Sequence, residues 1–143
     1  MKCWMVFALI LGSMLILPFG PPRLSAQVCK DEEGMVNDYK KSVAEMVETV
    51  KKESLLDFEK AFHQKSVATK LAFLGSMVDG YIGCLQKRAS DPTTPKEDAD
   101  VAKGKIDAYS KLKDKIKQDR DAVKAAPTGK EAKALIEKIA YPM

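Results

Sequence analysis

The chain has 143 residues, 24 of them basic and 20 acidic, with three cysteines and a single histidine. That length makes one domain, large enough to bury a core without a metal. One histidine leaves almost no room for hydrolytic triads or zinc sites, and a net charge of +4 with interleaved signs gives no stripe for nucleic acid.

Residues 1–26 read as a secretory leader. Lys2 supplies the positive start, Trp4 to Leu17 carries no charge, and Leu24-Ser25-Ala26 ends on a small residue before Gln27. The apolar run is shorter than the roughly 20 residues a helix needs to cross a bilayer, and Pro18, Gly20, Pro21 and Pro22 stop any helix after it. An uncleaved N-terminal anchor is the rival reading. Cleavage predicts a secreted protein with no transmembrane anchor, residues 27–143 forming a single helical domain. It removes Lys2 and Arg23, which narrows the excess of bases over acids by two. Cys3 also leaves, so Cys29 and Cys84 remain to form one disulfide in an oxidising compartment. The single asparagine, Asn37, precedes Asp38-Tyr39 and is no glycosylation site.

Every long segment after residue 30 shows helical spacing and none alternates as a strand does. The first helix is predicted over about Glu32 to Lys52, with Val36, Tyr39, Val43, Met46 and Val50 as its inner stripe. Ser54, with Asp57 three residues on, is read as the cap of a second helix. Its later part, Val67 to Leu85, is apolar nearly all round and is expected at the centre of the fold. A row of small residues, Ala68, Ala72, Ser76, Gly80 and Cys84, runs along it and predicts a groove in which a neighbouring helix lies close. Ala89 to Pro95 is a break. Thr94-Pro95 with Glu97 then opens a third helix reaching Ala125, with a thin apolar stripe and many charges. Thr128 with Glu131 caps a short fourth helix whose inner face is Ala132, Leu135, Ile136 and Ile139.

The point midway between Cys29 and Cys84 falls beside the Glu53-Ser54 break, as an antiparallel hairpin requires. With all breaks short, the prediction is an all-α, up-down-up-down four-helix bundle stapled by one disulfide. In outline this resembles small secreted four-helix proteins such as the plant-type invertase and pectinesterase inhibitors. That family carries a short-range cysteine pair near its N-terminus, and Cys29 has no such neighbour, so no site residue is carried over.

No catalytic or metal constellation emerges, and no cofactor is expected. His63, among Glu59, Lys60 and Lys65, is expected on a wet face. Phe58, Phe62, Phe73, Met77 and Tyr81 are the best material for an apolar pocket. Asp79, alone in the central apolar segment, is a candidate buried acid, with a place at the solvent edge as the alternative. Lys105, Lys113, Lys117 and Lys124 form a candidate face for anionic surfaces, although arginine, which leads in phosphate and base recognition, is scarce. The expected function is non-enzymatic binding of an extracellular protein. A carrier of small apolar ligands and a weak binder of anionic membranes are the alternatives.

Overall fold

The computed structural model describes residues 29–143. The leader expected over residues 1–26 and its cleavage point lie outside the described residues. Four α-helices follow in order: α1 (Lys30–Lys52), α2 (Lys60–Ser90), α3 (Lys96–Ala125) and α4 (Gly129–Glu137). The described residues contain no strand.

α1 buries Val36, Val43, Val47 and Val50 on one stripe, and its ends complement its dipole, with Asp31, Glu32 and Glu33 in the first turn and Lys51 and Lys52 in the last. The disulfide Cys29–Cys84 joins the start of α1 to the last third of α2, with Cα atoms 5.8 Å apart. Lys70 Nζ on α2 donates to Ser42 Oγ on α1 at 2.8 Å. These pairings make α1 and α2 antiparallel. α2 is the central element: Val67, Leu71, Leu74 and Val78 are wholly buried, and Tyr81 and Leu85 nearly so. It runs unbroken through Gly75, Gly80 and Gly83, so packing offsets the cost of up to about 1 kcal/mol that each glycine brings relative to alanine.

α2 begins later than the sequence predicts. The Ser54 hydroxyl donates to the Asp57 carboxylate at 2.5 Å and accepts from the Asp57 amide at 3.2 Å, the bonds of a cap. The turn they make does not propagate, and α2 starts at Lys60. Phe58, in this turn, enters the core and lies beside Gly129 at the start of α4.

α3 lies antiparallel to α2, tied by Arg88–Asp98 at 2.7 Å near one end and by Gln64 at the other. The Gln64 amide donates to the carbonyls of Val123 at 2.8 Å and Ala126 at 3.0 Å, satisfying acceptors that a helix end leaves open. Only Ala102, Ile116 and Val123 of α3 are fully buried, which matches its thin stripe. Thr94 does not cap it. Instead Asp91 accepts from Thr93 in the preceding turn, and Pro95 occupies the cap position with no side-chain bond. Thr128 does cap α4, accepting from the Glu131 amide at 3.2 Å. The fourth rod is short, nine residues, and the segment after it completes the layer: Tyr141 donates to Asp119 and Ile139 enters the core.

Candidate functional site

Two features read separately in the sequence meet on one surface. The small-residue row of α2 is covered only at its ends: Ala68 is buried and Cys84 is half-buried and bonded to Cys29, whereas Ala72, Ser76 and Gly80 are exposed, contrary to expectation. The reason is register. α2 turns its bulky face, Leu71, Leu74, Val78 and Tyr81, to the core, and three neighbours suffice to cover that face. Ala68, Ala72 and Ser76 of the row form the floor of an open groove of about 750 Å³, lined also by Ala61, Phe73, Arg120 and Lys124. Phe73 stands at its edge, 56% exposed. A smaller cavity continues it along α2 to Asp79, sharing Ala72, Ser76 and Arg120 and adding Lys113 and Lys117.

The far bank of this groove is therefore a cationic row on α3: Lys113, Lys117, Arg120 and Lys124, spaced four, three and four residues apart. That spacing keeps side chains on one helical face. Arg120 is held by Asp121 at 2.9 Å and Lys113 by Asp79 at 2.5 Å. Lys117, Lys124 and, on the α2 bank, Lys65 make no ion pair among the described residues. Asp79 is not a buried acid. It is half-exposed at the groove's end, because its turn of α2 faces α3's charged side.

Lys105 does not share this face. It points into the opposite crevice, where its ammonium donates to both Glu33 oxygens at 2.9 Å and to Tyr81 Oη at 3.2 Å. The Glu33 bond, more than anything else, raises the Lys105 pKa above its ordinary value. Tyr81 meets Tyr109 edge to face at 4.7 Å, and burial raises the pKa of both phenols.

The five candidate pocket residues are dispersed. Tyr81 and Phe58 are core, Met77 is half-buried against it, and Phe73 borders the α2–α3 groove. Phe62 is exposed and lines a separate groove against α1 with Met46, Thr49 and His63. Phe58 lies before α2, and the helical register of Phe62, Phe73 and Tyr81 sets them on different faces of α2, so the aromatics converge on no common cavity. His63 is also not a wet-face residue. Its side chain is 12% exposed, with Nε2 2.8 Å from Glu53 Oε2, and it stacks on Phe58 at 4.6 Å. The later start of α2 brings it beneath the α1–α2 turn. No group of three or more potential metal ligands occurs among the described residues, and no helix among them is long and apolar enough to cross a membrane.

Comparison with family models, curated proteins and solved structures returns no match.

Proposed function

We propose that the protein is a secreted, non-enzymatic binding module that acts by docking a partner protein on the open face of α2 and α3. The observation that carries it is the open groove over Ala72 and Ser76 of α2, with a row of cations on its α3 bank. An aromatic side chain set in a concave, polar-rimmed surface is a form that interaction sites take. The leader-like residues 1–26 and the Cys29–Cys84 bond support an extracellular setting, since such bonds persist in oxidising compartments.

The test places a photo-crosslinking residue at Thr69, on the groove wall, in the oxidised protein, and irradiates it in the fluid or tissue from which the protein comes. The expected result is a defined crosslinked partner, confirmed by saturable binding of that purified protein and abolished by Ala72→Trp, which fills the groove floor. Crosslinks spread over many proteins, with none saturable, would remove the proposal. Mass spectrometry of the native protein checks the compartment: its N-terminus should lie near Gln27.

A further inference from the structure

Resting on the protein-binding reading above, we infer that the groove between α2 and α3 receives an acidic amphipathic helix of the partner. The shape comes first. The two adjoining cavities follow α2 from Ala61 to Asp79, about 27 Å at 1.5 Å per residue, which is the length of a helix of about five turns. The floor residues Ala68, Ala72 and Ser76 are short, so an incoming helix can bring its ridge close to the α2 backbone. Phe73 on one bank offers an aromatic contact of the kind that anchors interfaces.

Charge then selects among helices. Every charged residue lining the main groove is a cation: Lys65, Arg120 and Lys124. The extension adds Lys113 and Lys117 and a single acid, Asp79, already bonded to Lys113. On α3 the cations recur at four, three and four residues. A partner helix carrying carboxylates at the same intervals on one flank, beside a seam of alanine and leucine, meets that row step for step. A second copy of this chain fits poorly, since a two-fold contact would set this row of cations against the same row of its copy. A bilayer fits poorly too. Its surface cannot enter a concave groove, and α3 carries no broad apolar stripe to lie in it.

The probe is a synthetic helical peptide of about 18 residues, the number that spans the groove, with glutamates at the four-three-four spacing flanking an alanine-leucine seam. Its counterpart has lysine at each of those positions. Binding to the oxidised protein is read by fluorescence anisotropy, with circular dichroism confirming that every variant is folded. The glutamate peptide should bind saturably and the lysine peptide should not. The double variant Lys117→Glu, Lys124→Glu and the single variant Ala72→Trp should each weaken binding at least about tenfold, the first also flattening the salt dependence.

No saturable binding of the glutamate peptide overturns the inference, as does binding that neither variant weakens. Adsorption to mixed phosphatidylcholine–phosphatidylserine vesicles, lost in the double variant while the peptide stays unbound, assigns the face to membranes and also overturns it. A dimer in sedimentation that Ala72→Trp dissociates assigns the groove to a second copy, with the same consequence. If the Thr69 crosslink finds a saturable partner while the glutamate peptide fails, the binding-module reading stands and only the acidic-helix inference falls. Failure of both experiments removes both.

Discussion

Lys40 donates its ammonium to the Pro142 carbonyl at 3.0 Å, joining residues 102 positions apart. It is only 5% exposed, in the middle of the buried stripe of α1, with its charge 5.2 Å from the centre of the Tyr109 ring. Burial lowers its pKa, and Glu33 opposes that shift. The lysine stem thus fills core space while its head fastens the segment after α4. Lys40→Ala removes both roles and should cost about 2 kcal/mol. Lys40→Met keeps the stem and discards a desolvated charge, so it should cost less than about 1 kcal/mol. Both variants should raise hydrogen exchange at the Ile139 amide, which bonds to Ile136. Equal stability losses in the two would mean that the stem contributes nothing.

The Cys29–Cys84 bond closes a loop across 55 positions. On the chain-entropy account, a closure of that size stabilises by roughly 4 kcal/mol. The double variant Cys29→Ala, Cys84→Ala should therefore lower the midpoint of thermal unfolding by roughly 15 °C, while keeping helical circular dichroism near 25 °C. The start of α1 should loosen first, because Cys29 occupies its cap position without a side-chain hydrogen bond. A midpoint within a few degrees of the parent protein would show that packing alone fixes the hairpin.

Helix identity and the cysteine pairing were legible in the sequence because both follow from spacing along the chain. The stripe Val36, Val43 and Val50 needs only the helical period, and Cys29 with Cys84 needs only a hairpin of equal arms. What lay beyond reach depended on register between helices. The small row on α2 and the lysine row on α3 were each visible, but that they face each other across one groove follows from how Gly75 meets Ile116 and Asp79 meets Lys113. Lys105 fell in the same lysine-rich stretch and lies elsewhere, because 105 and 113 differ by more than two helical turns and the drift carries it toward Glu33. His63 was misjudged for a local reason. Its charged sequence neighbours describe a wet helix face, whereas the α1–α2 turn folds Phe58 and Glu53 over it.

That covered position makes His63 a stability residue. Its ring is stacked between Phe58 at 4.6 Å and the edge of Phe62 at 5.2 Å, with Glu53 at 2.8 Å. His63→Ala should cost about 1–2 kcal/mol in urea unfolding, against the half or less expected of an open surface site. His63→Phe should recover the stacking but remove the one close polar contact of Glu53 Oε2, a buried oxygen that has no hydrogen-bond partner. It should therefore fall between the two. A His63→Ala protein as stable as its parent would return the residue to the solvated surface.

Alkaline pH tests the tyrosines. Tyr141 Oη donates to Asp119 Oδ2 at 3.0 Å. Burial first, and then the Asp119 charge, pushes its pKa far above the ordinary 10.0. Burial raises Tyr81 and Tyr109 as well. The unfolded chain releases its phenol protons from about pH 10, while the folded chain holds them. Their contribution to stability is thus complete below pH 10 and declines as pH rises past it. Lys105, raised by Glu33, acts in the same direction: its contribution is lost as pH climbs through its folded value above 10.5. Lys40 acts in the opposite direction, since its lowered value means that raising pH toward 10.5 relieves a desolvation cost. Three phenols and Lys105 outweigh one lysine, so unfolding free energy should fall as pH rises from about 10 to about 11.5. Tyr141→Phe should lose about 1 kcal/mol at neutral pH with its hydrogen bond, and should then decline less steeply than the parent. Urea unfolding of both proteins across that range measures it. Parallel declines would show that the Tyr141 proton is no better held in the fold than in the unfolded chain.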